Sequence, residues 1–144
     1  MDELIVKKQI KINSSSSKVW EVLINPELTK QYMFGCEIVS DWKVGSPVIW
    51  KGAADGKVYV KGTLLAIVTE KFLQFTVFDP NMGIEDIPSN YSTVTFGLSS
   101  ENSQTILSVS QGDFTKLEEG EKRYNDTVTG WDSVLPKIKD LAEK

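Results

Sequence analysis

The sequence contains no histidine and a single cysteine, Cys36. The absence of histidine excludes Ser-His and Cys-His nucleophile pairs, histidine metal sites and imidazole proton shuttles. One cysteine excludes an internal disulfide and any zinc or iron–sulfur site built from several thiolates. Carboxylate, tyrosine or lysine chemistry stays open. The composition therefore lowers the expectation of an enzyme, and we expect no metal and no cofactor.

Basic stripes and long apolar runs are also missing. The formal net charge is −4, and nucleic-acid-binding domains normally carry a basic surface, so we expect no nucleic-acid partner. No apolar run is long enough to span a bilayer. Met1 is followed by Asp2 and Glu3, which is unlike the basic start of a secretory signal. Together with the low cysteine content, these features predict a cytoplasmic protein.

The C-terminal part of the chain carries an apolar stripe that is typical of one face of a long helix. Its members are Tyr124, Val128, Trp131, Leu135, Ile138 and Ala142. A single helix cannot bury such a stripe alone, so we expect it to pack on a sheet made by the preceding strands. A curved sheet closed over one helix readily leaves a cavity. Pro136 lies inside this helix and is expected to kink it or weaken one backbone bond.

Between the N-terminus and that helix, the pattern predicts strands, with two short helices between the first and the second. The predicted strands are 3–12, 36–41, 47–52, 58–69, 72–78, 90–99 and 104–113. The serines at 14–17 are expected to cap the first short helix, Asn25 and Pro26 to begin the second, and Gly35 to end it. Asp55 and Gly56 predict a tight hairpin turn. Gly62, inside the fourth strand, predicts a bulge or bend.

Several of these segments together are similar to a known family. They are Val19-Trp20-Glu21-Val22-Leu23, Asn25-Pro26-Glu27-Leu28, Gly62-Thr63-Leu64-Leu65, and Gly130-Trp131 followed by Leu135, Ile138 and Leu141. Their order resembles START-related helix-grip (SRPBCC) domains, and within them the homologues of the activator of the heat-shock-ninety ATPase. The resemblance implies a single α+β domain over 1–144. Its seven-stranded curved antiparallel sheet would grip a long C-terminal helix, with two short helices between strands 1 and 2.

The resemblance also implies that a cavity holds lipids, sterols, polyketides or other apolar molecules. The residues predicted to line it are Trp50, Tyr59, Val60, Phe75, Val77, Phe96, Tyr124, Trp131 and Leu135. Aromatic residues suit such pockets because they give large contact areas with few torsions to freeze. The alternative, at about equal weight, is that they simply fill the core. A polar head group would be oriented by Tyr59, Lys61 or Tyr124.

Two loops are expected to gate the cavity. One is the hairpin containing Asp55 and Gly56, and the other is the 80–89 loop with Met82, Ile84 and Ile87. Apolar residues in an irregular loop need burial against the protein or against a ligand. A plain surface loop that packs on itself is an equally good interpretation.

Three functions follow as hypotheses. The first is non-enzymatic binding of a small hydrophobic or amphipathic ligand by a monomer or weak dimer. The second is a stress-response role as a chaperone partner, with Trp42 and residues 82–87 as surface anchors. The third is a cavity enzyme acting on an apolar substrate through a perturbed carboxylate, tyrosine or lysine.

Overall fold

The computed structural model describes residues 3–144. Met1 and Asp2, which belong to the expected domain and to the start that argues against a secretory signal, lie outside the described residues. The elements, in chain order, are β1 (Val6–Ile12), α1 (Ser16–Ile24), α2 (Pro26–Tyr32), β2 (Cys36–Ser40), β3 (Pro47–Gly52), β4 (Val58–Val68), β5 (Phe72–Val77), a 3₁₀ turn (Pro88–Asn90), β6 (Ser92–Glu101), β7 (Gln104–Gly112) and α3 (Gly120–Ala142). No helix within residues 3–144 has the length and apolar content needed to cross a membrane.

Within residues 3–144, seven strands form one sheet in the order β1-β7-β6-β5-β4-β3-β2. Every neighbouring pair is antiparallel. α1 and α2 connect β1 to β2 along the chain, and these two strands form opposite edges of the sheet. α3 packs against β1, α1 and α2. The predicted α+β helix-grip architecture is therefore confirmed.

Local signals place the helix ends. The Ser15 side chain accepts a hydrogen bond from the Lys18 N–H at 3.2 Å and caps α1. The Asn25 side chain accepts one from the Glu27 N–H at 3.0 Å and caps α2, with Pro26 in its first turn. These caps satisfy backbone donors that a helix start leaves open. Pro136 lies inside α3 without dividing it, so the expected kink does not end the helix.

Gly62 has a different role from the predicted one. The strand register shifts between Trp50 and Lys51 and between Leu64 and Ala66, but not at Gly62. A Cβ atom at Gly62 would lie 1.6 Å from the Thr76 carbonyl oxygen on β5. Glycine is therefore required here, because β5 passes too close to leave room for a side chain. The bulges that help to curve the sheet lie nearby.

Replacement of Gly62 by alanine should lower the free energy of unfolding by about 2–3 kcal/mol, since the added methyl forces the two strands apart. Urea unfolding checks this. Gly97 is the matched control, because a Cβ there meets no atom within 4 Å. We expect Gly97→Ala to change the free energy of unfolding by no more than about 0.5 kcal/mol. Equal effects at the two positions would contradict the steric interpretation.

Candidate functional site

A cavity of about 490 Å³ lies between the sheet and α3. Six strands contribute to it, β2 through Cys36 alone. From the other five strands come Trp50, Tyr59, Val60, Phe75, Val77, Val94 and Gln111. From α3 come Thr127, Gly130, Trp131 and Val134, and the remaining lining residues are Met33, Phe34, Cys36 and Asp79. Most of these residues are apolar, so the cavity is suited to an apolar guest.

The hollow depends on one position of α3 that carries no side chain. Gly130 lines the cavity, and a Cβ built on it meets no atom within 4 Å. Its neighbour Trp131 is buried and reaches the sheet. α3 therefore holds the sheet through Trp131 while Gly130 leaves open space beside it.

Aromatic rings form a continuous row across the interior. Successive ring centroids are 6.4 Å apart for Trp50 and Phe75, 6.2 Å for Phe75 and Phe96, and 5.6 Å for Phe96 and Trp131. The last pair is edge-to-face, an arrangement that the ring quadrupoles favour. The row forms one wall of the cavity and part of the core at the same time. The two interpretations of these residues are thus compatible.

Gln111, a polar residue of the lining, is already engaged by its neighbours. The Trp131 indole N–H donates to Gln111 Oε1 at 2.9 Å, and Gln111 Nε2 donates to the Ser92 hydroxyl at 2.9 Å. This chain of hydrogen bonds fixes the amide and the indole ring. It also removes most of their capacity to bind a ligand, so the middle of the cavity presents mainly carbon.

Exposed lining residues mark the mouth of the cavity. Phe34 is 68% exposed and has a φ of 52°, which bulky residues seldom adopt. Lys137 of α3 lies 5.5 Å above its ring. Tyr59 is 38% exposed, and its hydroxyl donates to Asp55. That hydrogen bond raises the pKa of Tyr59 and lowers the pKa of Asp55, so the tyrosine stays protonated near neutrality.

Six of the predicted ligand-binding residues line the cavity. They are Trp50, Tyr59, Val60, Phe75, Val77 and Trp131. Phe96 lies behind Phe75 and Trp131 and is only 2% exposed. Leu135 is buried in the core. Tyr124 packs edge-on against Phe114, with ring centroids 6.2 Å apart, and is half-buried outside the cavity lining.

The predicted gate residues lie outside this cavity lining. Asp55 accepts hydrogen bonds from Tyr59 and from the Lys57 N–H, and Gly56 takes the positive φ of 71° that its turn requires. Met82 lines an adjoining basin, whereas Ile84 and Ile87 line neither space. Trp42 is half-buried and packs against the core. Ionic and polar contacts of Asp86 hold the 80–89 loop against the sheet.

Asp86 ties the 80–89 loop to the sheet. It accepts hydrogen bonds from the Lys61 ammonium and, at 2.7 Å, from the Tyr91 hydroxyl. The Lys61 hydrogen bond contributes most to lowering the pKa of Asp86. Because Lys61 is engaged here, it does not line the cavity, where it was expected to orient a head group.

The sequence pattern did not identify the residues that close one end of the cavity. Met33, Phe34 and Cys36 come from the junction of α2 and β2, which Thr29 holds in place. Its hydroxyl donates to the Cys36 carbonyl oxygen at 3.1 Å and accepts from the Ile38 N–H at 3.0 Å. The signal that the sequence offered for this junction was a threonine, Thr29, inside a short helix. Across residues 3–144, no three cysteine or acidic side chains converge into a possible metal site.

Comparisons with known proteins agree on the fold. A family model described as "Activator of Hsp90 ATPase homolog 1-like protein" matches residues 13–143. The solution structure of ChR145 from Cytophaga hutchinsonii is 37% identical, with a TM-score of 0.78, and the match covers 99% of this chain and 97% of that one. No protein of curated function matches the sequence.

Two more distant structures share the fold alone. MLL2253 from Mesorhizobium loti is 23% identical, with a TM-score of 0.76 and 95% of each chain covered. The Aha1 dimer from Colwellia psychrerythraea is 16% identical, with a TM-score of 0.74 and 96% of each chain covered.

Cys36 offers a direct reporter of the cavity. Burial raises the pKa of its thiol, and the charge of Asp55 adds to the effect. The thiolate is the reactive form, so iodoacetamide should modify the folded protein much more slowly at pH 8 than the urea-unfolded chain. The rate in the folded protein should keep rising above the pH at which an ordinary thiol levels off. Mass spectrometry measures both rates, and equal rates would contradict the buried position.

Proposed function

The chain belongs to the activator of Hsp90 ATPase homolog 1-like protein family, and from this premise we propose that it binds a small hydrophobic or amphipathic molecule without chemically changing it. The ligand would occupy the space between the sheet and α3. Domains of this helix-grip fold commonly bind hydrophobic ligands, which supports the assignment.

The single observation that carries the proposal is the cavity itself. Its volume of about 490 Å³ falls within the range of roughly 300–1,000 Å³ that is usual for small-molecule sites. Burial of the ligand's apolar surface would supply about 25 cal/mol per Å² before the entropic costs of association. Trp50, Phe75 and Trp131 provide rigid walls, so little side-chain freedom is lost on binding.

The Gly130→Leu variant should place a side chain in the cavity and weaken binding of the neutral fluorescent probe N-phenyl-1-naphthylamine several-fold. Glycine is about 0.8–1 kcal/mol less favourable than alanine inside a helix, leucine ranks next after alanine, and the built Cβ meets no neighbour. The variant should therefore fold at least as well as the parent protein. Fluorescence titration measures the affinity, and a thermal melt checks the fold.

Gly97→Leu is the matched control, because its Cβ also has open space but Gly97 does not line the cavity. This variant should bind the probe as the parent protein does. If Gly130→Leu left the affinity unchanged, or if the parent protein bound no probe at all, the proposal would fail.

A second candidate function is an interaction with the chaperone Hsp90, as the description of the family suggests. The feature that favours it is the exposure of Met82 and Ile87 in the 80–89 loop, because exposed apolar side chains are frequent anchors in protein interfaces. Trp42 is a weaker anchor than expected, since half of it packs against the core. This function would need no cavity.

The two candidates separate in an ATPase assay of Hsp90. If the loop binds the chaperone, the parent protein should stimulate ATP hydrolysis, and the double variant Met82→Asp, Ile87→Asp should lose most of the stimulation. Val44→Asp is the control, because Val44 is an apolar residue at another site and is even more exposed than Met82 and Ile87. Stimulation should persist in Gly130→Leu. An absence of stimulation by the parent protein would reject this second candidate.

The cavity enzyme has less support. Asp79 is the carboxylate-bearing residue of the cavity lining among residues 3–144, and Tyr59, hydrogen-bonded to Asp55, has a raised pKa. A tyrosine that holds its proton more tightly is a poor general base near neutrality. The cytoplasmic location and the monomeric or weakly dimeric state stay predictions.

A further inference from the structure

A second, more polar basin of about 400 Å³ adjoins the apolar cavity near the start of α3. The residues that line both spaces are Val60, Val77, Asp79, Gln111 and Thr127. The two spaces therefore lie side by side along these five residues. A molecule long enough to extend from one to the other would meet carbon at one end and polar side chains at the other.

Arg123 lines this basin, and the proposed function gives it no role. It is the sole arginine of the sequence and is only 8% exposed. Its guanidinium donates to the carbonyl oxygens of Asn90, at 3.0 Å, and Glu118, at 3.3 Å. Among residues 3–144, no carboxylate oxygen lies within 4 Å of it. A buried cation is thus held by neutral acceptors alone.

The charges around Arg123 leave this cation partly uncompensated. Lys122 and Asp126, which also line the basin, form their own ion pair at 2.7 Å. Asp79 and Glu118 favour the charged guanidinium from beyond ion-pair distance, but burial has the larger effect and lowers the pKa of Arg123. A guanidinium has five N–H donors, and two of its hydrogen bonds are accounted for here.

We propose that this basin takes the carboxylate end of an amphipathic ligand, which Arg123 binds, while the apolar body of the ligand fills the cavity. A carboxylate matches the planar donor fork of arginine, and a hydrogen bond between opposite charges is stronger than one between neutral groups. The inference rests on the proposed function and names its ligand class. Of the three head-group residues expected from the sequence, Tyr59 is engaged with Asp55 and Lys61 with Asp86. Tyr124 lines neither space.

Three probes of equal chain length test the head group in the unmodified protein. They are decanoate, decanol and decyltrimethylammonium, each used to displace N-phenyl-1-naphthylamine. Decanoate should displace the probe at a concentration at least tenfold lower than decyltrimethylammonium and several-fold lower than decanol. Equal displacement by all three, together with weakening of all three by Gly130→Leu, would overturn the head-group assignment while leaving the proposed function intact. No displacement by any of them would count against both.

The carboxyl group of bound decanoate gives an independent measurement. With [1-¹³C]decanoate, the ¹³C shift should report a bound pKa below that of the free acid, because a neighbouring cation favours the carboxylate. A bound pKa above that of the free acid would place the carboxyl in apolar surroundings and overturn the assignment. This measurement needs no substitution, so it decides the question even if Arg123 variants do not fold.

Arg123→Gln should weaken decanoate binding at least tenfold and leave decanol binding within twofold. Lys139→Gln is the matched control, because it removes a cation of the same helix that pairs with Glu143 and does not line the basin. It should change neither affinity by more than twofold. A parallel loss for decanoate and decanol in Arg123→Gln, in a protein with an unchanged melt, would contradict the assignment.

Discussion

The contact between the apolar stripe of α3 and the sheet is the interaction on which the rest of the structure depends. Trp131 stands at its centre, with an edge-to-face contact to Phe96 and a hydrogen bond to Gln111. A tryptophan buries a large apolar area and also needs a partner for its N–H. Gln111 supplies that partner and is held in turn by Ser92. The same contact fixes the position of α3 and forms a wall of the cavity.

The packing of α3 changes along its length. Towards its C-terminus, Leu135, Ile138 and Ala142 are buried and belong to the core. Beside Trp131, which keeps its contact with the sheet, Gly130 leaves the space of the cavity open. Near the N-terminus, Arg123 binds carbonyl oxygens of Asn90 and Glu118 and so joins the helix to the loop before β6. One helix thus provides a packed anchor, an open middle and a polar end.

The element order, the helix caps and the covering of the sheet by α3 could be predicted from the sequence because each has a local cause. Ser15 and Asn25 cap through their own side chains, and the stripe of α3 follows the helical period. The position of the bulges could not be predicted, since the register depends on how neighbouring strands meet. The sequence correctly marked Gly62 as an unusual position, but the reason for the glycine is the close approach of Thr76, on another strand.

The candidate site was harder to predict for a related reason. The sequence identified Trp50, Phe75 and Phe96 as pocket candidates, but it could not say which of them a second ring would cover. Phe34 was missed because an exposed phenylalanine at a helix end has no periodic signal. Arg123 was missed because a charged residue in the first turn of a helix is normally exposed, and its burial involves a contact with Asn90, 33 residues earlier in the chain.

The lining of the cavity limits what it can hold. Its mouth near Phe34 and Tyr59 opens to solvent, so water occupies the space of about 490 Å³ when no ligand is bound. That water is held weakly beside the aromatic row, because a well-held water needs two to four polar partners and Gln111 already uses its amide on Trp131 and Ser92. An apolar molecule that displaces such water gains affinity. The incomplete packing that weakens this part of the core is therefore also the source of its affinity for a ligand.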